Sequence, residues 1–335
     1  MLLINIGTPD SPSTGDVRKY LREFLNDPRV IDILWLSRFL LVNLLIVPLR
    51  APKSAGLYQK IWTKGSPVLL HGIAVKEKLQ TELGSDYIVE LGMRYQNPSI
   101  KIALENFRKA CLEKLIIIPL YPQYASSSTG SSIENVMKTI RSWEVMPAIN
   151  VISKFYDRPD FIDCWVEAAK KYNLNEYDHF LFSYHGLPER QIKKASIHYS
   201  NDYCQFGNCC STINKNNQYC YRAAAYETTR QIVKKLNIPE EKYTVSFQSR
   251  LGRTPWIKPY SDHVIVEKAK QGIKKILAFS PAFVADCLET VYEVGIEYNE
   301  LFQKNGGEKI QLVESLNSNQ KWIFLLKSIV TENSI

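Results

Sequence analysis

Leu115-Ile-Ile-Ile-Pro-Leu-Tyr121 and Leu277-Ala-Phe-Ser-Pro-Ala-Phe283 echo each other from opposite halves of the chain. Each is a continuous apolar run that stops at a proline. Such runs suit strands buried on both faces of a parallel sheet. Around them, strands and helices alternate. Before the first run lie a strand at Leu2–Ile6, a helix over Val17–Leu25, a helix over Val68–Leu83, a strand at Tyr87–Tyr95 and a helix over Ile102–Cys111. After it come a strand at Ile149–Phe155 and a helix over Phe161–Tyr172. The pattern then restarts at Phe180–Tyr184 and continues through Tyr221–Leu236, Tyr243–Phe247, Val264–Lys270 and Ile276–Phe279 to a last strand at Ile310–Leu312 and a closing helix at Trp322–Val330. Alternation of this kind predicts α/β architecture with parallel sheets. The repetition predicts two similar Rossmann-like domains, 1–160 and 161–335, each a parallel sheet flanked by helices, with an active-site cleft between them. Ligands of open parallel sheets bind beyond the carboxyl ends of the strands. The loops at 7–9, 94–97, 121–132, 184–190, 248–256 and 280–289 are therefore expected to face that cleft.

Composition narrows the function. The chain has 335 residues, 45% hydrophobic and 23% charged, ordinary values for a globular protein. A formal net charge of +8 favours acidic partners such as nucleic acid, anionic lipid or a polycarboxylate. The absence of a Lys/Arg-rich block argues against nucleic acid. No G-x-G-x-x-G follows the first strand, which argues against a dinucleotide site. No signal peptide is visible, and no uncharged apolar run reaches the ~18 residues of a membrane span. The expectation is a cytoplasmic protein, peripheral at most on the inner face of the membrane, with oligomeric state unspecified.

Two stretches leave alternatives open. Phe39-Leu-Leu-Val-Asn-Leu-Leu-Ile-Val47, inside the apolar region 31–50, is either a core helix or an exposed lip for a membrane or a greasy substrate. Arg50 and Lys53 at its end can meet a carboxylate. The hydroxyl-rich loop Tyr121–Ser132 suits an anion or a polar ligand edge, but cap and turn chemistry accounts for it equally well.

Beyond the second apolar run, Ser280–Glu300 is acidic. Glu289, Glu293 and Glu297 recur at i, i+4 and i+8, a row about 12 Å long on an α-helix at ~1.5 Å per residue. Leu288, Val291, Tyr292, Gly295, Tyr298 and Phe302 mark its expected buried face. No Lys, Arg or His occurs between Ile276 and Gln303. The row is either a solvated face or a cation site with a partner elsewhere. A candidate partner is His185, in Ser183-Tyr-His-Gly-Leu-Pro188, held on a tight turn at a strand end. Imidazole plus carboxylate suits a borderline divalent ion such as iron(II), or proton transfer. His71, His179, His198 and His263 lie in less suggestive contexts.

Taken together, Ser-Tyr-His-Gly-Leu-Pro at 183–188, Phe-Gln-Ser-Arg-Leu-Gly-Arg-Thr-Pro-Trp-Ile-Lys-Pro at 247–259 and Asp-Cys-Leu-Glu-Thr-Val-Tyr-Glu at 286–293 closely resemble the ferrochelatase family. Leu-Asn-Asp-Pro-Arg-Val at 25–30 and Tyr-Pro-Gln-Tyr-Ala-Ser-Ser-Ser-Thr-Gly-Ser at 121–131 match as well, in order, so the resemblance runs from residue 2 to about 320. It implies insertion of iron(II) into protoporphyrin IX with release of two protons, the last step of haem synthesis. Coproporphyrin or another metal is the alternative within the class; a non-enzymatic porphyrin-binding protein is the alternative outside it. The family's active-site residues map onto His185 and Glu289, with Glu293 and Glu297 continuing a path for metal or protons. Its propionate-contacting positions map onto Arg50, Lys53 and Ser249, and its porphyrin-lining positions onto Ile6, Tyr58, Arg94, Tyr95 and Trp256. The stretch 33–49 resembles the family's lip, which can rest on a membrane. Cys287 departs from the pattern, standing where animal members carry a second histidine.

Cys204, Cys209, Cys210 and Cys220 give C-x4-C-C-x9-C inside a segment at 200–222, which is not a C-x2-C zinc pattern. Four thiolates can hold a [2Fe–2S] cluster, as an internal segment does in some bacterial members of the family. Unrelated thiols are the alternative.

Overall fold

A computed structural model describes residues 1–195, 203–250, 252 and 254–334. His198, Leu251 and Arg253 lie outside the described residues, as do residues 200–202 of the cysteine segment. The chain divides into two units. The first comprises Met1–Tyr121, Ser126–Ser153 and Asn317–Ile335; the second comprises Pro122–Ala125 and Lys154–Leu316.

In the first unit, β1 (Leu2–Gly7), β2 (Glu90–Tyr95), β3 (Lys114–Pro119) and β4 (Ala148–Val151) form a wholly parallel sheet in the order β2-β1-β3-β4. The period of two sorts their side chains by face. Leu2 and Ile4 of β1 join Leu115 and Ile117 of β3 in one cluster with Ile100, Leu104, Phe107, Val136 and Ile140. Those five come from the helices α5 (Ile100–Lys109) and α6 (Ser131–Ile140), which follow α1 (Thr14–Leu25), α2 (Trp35–Leu40), α3 (Val47–Ile61) and α4 (Pro67–Leu83). Caps start the helices where the sequence supplies them: Ser13 Oγ accepts from Asp16 N at 3.2 Å and Ser99 Oγ from Ile102 N at 3.3 Å. Gly7 closes β1 at φ +105°, and a Cβ there would lie 2.0 Å from the Tyr95 carbonyl oxygen. Only glycine lets these two strand ends meet.

The apolar stretch is largely exposed and is not a core helix. Trp35–Ile61 is one continuous helical run, with a π-helical segment at Leu41–Ile46 joining α2 to α3. Val42 and Val47 are buried with Leu25, whereas Leu34 is 80% and Leu44 71% exposed. By length and composition the run is long and apolar enough to cross a membrane when up to two charged residues are allowed, while its uncharged part, between Arg38 and Arg50, stays short of the ~18 residues counted in the sequence. The sequence count stopped at Arg50, but the helix continues through it.

The second unit repeats the first sheet's pattern. Its strands β5 (His179–His185), β6 (Tyr243–Gln248), β7 (Lys275–Phe279) and β8 (Lys309–Leu312) run parallel in the order β6-β5-β7-β8. β7 thus holds the place that β3 holds in the first sheet, which explains the echo between the two apolar runs. Phe182 and Phe279 pair in register and stack at 4.7 Å, an arrangement contributing about 0.5–1.5 kcal/mol beyond burial. The helices are α7 (Pro159–Ala169), α8 (Glu189–Lys194), α9 (Tyr221–Leu236), α10 (Ser261–Lys270) and α11 (Asn299–Lys304), the last continuing a π-helix at Leu288–Tyr298.

The division departs from a single boundary at residue 160. The closing helix, Gln320–Glu332, belongs to the first unit and packs on α4. Its buried face is Trp322, Ile323, Leu325, Leu326, Ile329 and Val330. Gln320 Nε2 donates to Glu82 at 2.8 Å, and Lys78 Nζ to the Ser318 carbonyl at 2.6 Å. A helix late in the chain finds its apolar partner early in it, and order along the chain does not encode that.

His179, at the start of β5, is buried and shares a 2.9 Å hydrogen bond with Thr244 Oγ1. Burial, then the charge of Lys268, holds its pKa down to about 4. Its share of stability is complete above the unfolded value of about 6.5 and is lost as pH falls from there towards 4. We expect the melting temperature to drop through this window by the equivalent of about 2–3 kcal/mol, and His179→Gln to flatten that slope.

Candidate active site

The carboxyl ends of β5 and β6 carry His185 and Gln248 side by side in register. His185 is half-buried at the strand end. Its Nδ1 lies 2.6 Å from the Gly186 carbonyl oxygen. A carbonyl only accepts, so Nδ1 carries a proton, and in the neutral ring Nε2 is the nitrogen with the lone pair. The rings of Trp256 and Phe283 flank the imidazole, each centroid 6.4 Å away. Gly186 makes the turn possible, since a Cβ there would lie 2.8 Å from the Gln248 carbonyl and 3.1 Å from the Trp256 ring.

Gln248 was not among the residues singled out by sequence, yet it ties the sheet to the acidic helix. Its Oε1 accepts from Ser183 Oγ at 2.6 Å, and Ser261 Oγ links Ser183 and Ser246 at 3.0 and 2.9 Å. Its Nε2 donates to the Glu289 carbonyl at 3.0 Å and to Glu293 Oε2 at 3.1 Å. The one signal was its place inside the 247–259 motif, a buried amide at a strand end.

The acidic row does not lie on an α-helix. Leu288–Tyr298 is a π-helix, a form that favours functional sites. Its i→i+5 bonding widens each turn, so residues four apart fall just short of a full turn instead of just past it. Rows at i, i+4 and i+8 then run nearly along the axis. The buried row is Thr290, Val294 and Tyr298, one position behind Glu289, Glu293 and Glu297. This corrects the expected apolar face: Leu288, Val291, Tyr292 and Gly295 are only half-buried, and the α-helical period had selected them.

The three glutamates sit in different surroundings. Glu293 accepts four hydrogen bonds: from Gln248 Nε2, Ser249 N at 3.1 Å, Ser249 Oγ at 2.5 Å and Tyr298 OH at 2.9 Å. Burial pushes its pKa up; the Ser249 hydroxyl opposes this, and Glu289 reinforces it. Glu289 stands beside Cys287, whose thiol is raised well above its usual value by burial first and by Glu289 second. Glu297 is exposed. With Glu293, Ser249, Arg250, Asp262 and Tyr298 it lines a cavity of about 490 Å³. Among the described residues no group of three or more His, Cys, Asp or Glu side chains is gathered to hold a metal ion, so His185, Glu289, Glu293 and Glu297 are not assembled as one ligand set.

Ser249 adopts φ +64°, a left-handed conformation, with both its amide and its hydroxyl on Glu293. Trp256 is buried, and its backbone bridges to Pro188. In the first unit, Arg50 and Lys53 are exposed on α3, and Ile6 is half-buried. Tyr58 is buried, its ring edge-on to Tyr20 and Trp62. Arg94 and Tyr95 serve a buried network: Arg94 Nη2 and Tyr95 OH donate to Asp27 Oδ2 at 2.6 and 2.9 Å, and Ser131 Oγ donates to the same oxygen at 2.5 Å. Burial and then the Asp27 charge push the Tyr95 phenol up. The hydroxyl-rich loop is thus partly spent on the protein itself, since Ser126 Oγ also accepts from Arg29 at 2.9 Å.

In the cysteine segment, the sulfurs of Cys209 and Cys210 are 3.9 Å apart. Cys204, Cys209 and Cys220 line one small cavity with Tyr203, Ile192 and Asn217. Contact with Cys220 and burial raise the Cys210 thiol, while Cys210 in turn lowers that of Cys220.

Gln248→Leu removes both hydrogen bonds of Nε2 to the acidic helix and leaves Ser183 only its Ser261 partner. We expect a loss of about 1–3 kcal/mol in denaturant unfolding, larger than for Gln248→Glu at a pH where that carboxyl is protonated.

Comparison with known proteins identifies the family of the chain. The family model described as Ferrochelatase matches residues 1–334. A ferrochelatase of Coxiella burnetii (strain Dugway 5J108-111) is 46% identical over 326 residues, 96% of this chain and 90% of the relative. One of Legionella pneumophila (strain Lens) is 46% identical over 333 residues, 99% and 98% of the two chains. Among solved structures, SirB from Bacillus subtilis with Fe3+ shares the fold at a TM-score of 0.53 and 12% identity, covering 81% of this chain and 92% of that one. A family match from end to end, two relatives at nearly half identity and the paired parallel sheets lead to one conclusion: this chain belongs to the ferrochelatase family.

Proposed function

We propose that this ferrochelatase acts on protoporphyrin IX, with His185 and Glu289 at the reaction centre. Insertion of iron(II) into a porphyrin in haem synthesis is the activity of the enzyme, and nothing in the comparisons favours coproporphyrin, another metal or a role without chemistry. The observation that carries the residue assignment is the contact of His185 Nδ1 with the Gly186 carbonyl. Metallation breaks two pyrrole N–H bonds, releases two protons and changes no oxidation state. Nε2, with its lone pair free of the Gly186 bond, takes a pyrrole proton. Trp256 and Phe283 supply flat apolar walls beside it. Binding energy spread over a large ring can hold the macrocycle away from planarity, so that its nitrogens meet the incoming iron.

Glu289 shares the strand-end site through Gln248, which donates to its carbonyl. Glu293, with both oxygens engaged, is a strut in this reading, and Glu297 an outer acid at the mouth of the adjoining cavity. Ser249 would meet a propionate by giving up its bond to Glu293. Arg50 and Lys53 are the basic partners for propionates, and Ile6, Tyr58, Arg94 and Tyr95 are the residues that would line the porphyrin, the latter two held by the Asp27 network. We expect His185→Ala and Glu289→Gln to lower kcat for anaerobic iron(II) insertion at least 100-fold, while porphyrin still binds by absorbance titration. Loss of porphyrin binding with an unchanged rate at saturation would refute these roles. Protoporphyrin and coproporphyrin run in parallel decide the substrate.

We read the four cysteines as ligands of a [2Fe–2S] cluster. Four thiols within 204–220, two of them in contact and three on one cavity, have the right donor chemistry. Such a cluster would brace the segment or sense its surroundings; insertion moves no electron.

The exposed lip supports a seat on the cytoplasmic face of an anionic membrane, its leucines entering the interface and Arg38, Arg50 and Lys53 facing the headgroups. Cosedimentation with vesicles containing phosphatidylglycerol should fall at least tenfold on Leu44→Glu/Leu45→Glu. Equal binding by that variant would exclude the lip as the anchor.

A further inference from the structure

Arg222 is a buried cation that the porphyrin chemistry leaves unused. It is the second residue of α9 and is only 8% exposed. Its Nη1 lies 3.0 Å from Cys210 Sγ. Its Nη2 donates to Tyr226 OH at 3.2 Å and to the Lys258 carbonyl at 3.4 Å. The guanidinium stacks on the Tyr226 ring at 4.7 Å. Its Nε is buried with no hydrogen-bond partner. None of these neighbours is a carboxylate. A buried guanidinium without an anion is costly, and the side-chain atom its Nη1 meets is a cysteine sulfur. Cys220 immediately precedes α9, and Cys210 contacts Cys209.

We propose that Arg222 is the counter-cation of an anionic metal–thiolate centre on Cys204, Cys209, Cys210 and Cys220, and that its bond to the Lys258 carbonyl carries the state of that centre to the segment holding Trp256. The proposal rests on the [2Fe–2S] reading above. Four thiolates, two sulfides and two iron(III) ions sum to a dianion, and an N–H donor aimed at a ligand sulfur is a recognised control on cluster potential. One electron from an external reductant converts one iron(III) to iron(II) and makes the centre more negative. A fixed cation favours that state. The same planar fork reaches Lys258, two residues beyond Trp256, so a charge change at the sulfurs is felt there without any rearrangement of the sheet.

The test uses the full-length protein purified without oxygen. Iron, acid-labile sulfide and the visible spectrum come first. Wild-type protein lacking all three signals ends the cluster reading and this proposal with it. With the cluster present, a mediated dithionite titration should show that Arg222→Gln disfavours reduction at least tenfold, a midpoint lower by about 59 mV for one electron. An intact cluster with an unchanged midpoint would overturn the role of Arg222 and leave the cluster reading standing. Should Arg222→Gln fail to assemble the cluster, Arg222→Lys carries the test, because an ammonium has no planar fork to span Cys210 and Lys258. Amide hydrogen exchange at residues 254–259 should then be at least threefold faster than in wild type with the cluster still bound, and exchange at the wild-type rate would overturn the proposal.

Discussion

Both oxygens of Glu293 are held by donors from three places: the side chain of Gln248, the amide and hydroxyl of Ser249, and the phenol of Tyr298. A half-buried carboxylate is tolerated when its lone pairs are answered. Here the answer comes from the end of a strand, from the turn after it and from the helix itself. The π-helix is therefore fastened to the β6 end at its middle. Glu289, one row step earlier, inherits its position from that fastening. So does Ser249, whose left-handed backbone is compensated by two bonds to one carboxylate.

The same clamp connects the strand end to the core. Gln248 reaches through Ser183 to Ser261 and Ser246, all buried in the sheet and the first turn of α10. On the far side of the π-helix, Val294, Tyr298 and Phe302 pack into the apolar cluster of Leu181, Ile265, Ile276 and Ala278. Tyr298 takes part in both, its ring in the apolar cluster and its hydroxyl on Glu293. Polar and apolar anchors thus fix the helix from opposite sides. A carboxylate held at a strand-end site owes its placement to support of this kind.

Much of this was legible in the sequence, and the misses have physical causes. The twin apolar runs announced the two parallel sheets because continuous Ile/Leu/Phe stretches of strand length have few other uses. His185 and Glu289 were legible as strand-end and helix residues within motifs. The helix type was not, because glutamates four apart read as a row on either an α- or a π-helix, and only the bonding distinguishes them. Tyr298 was read as core, since an aromatic at an apolar position conceals its hydroxyl. Burial of the lip was undecidable from composition: Val42 and Leu44 look alike in sequence, and only the packing of Leu25 against the first separates them. The closing helix was assigned to the wrong unit because apolar periodicity shows that a face will be buried, not against what.

The exposed lip also governs how copies of the molecule meet in water. A run of leucines with Trp35 and Phe39 open to solvent is a self-complementary greasy surface. What opposes its pairing at a distance is the formal charge of +8 carried by every copy. That repulsion reaches only about a Debye length, roughly 10 Å at 0.1 M salt and about 3 Å at 1 M. The colloidal behaviour of the enzyme is thus set by ionic strength on one side and by amphiphiles that cover the leucines on the other.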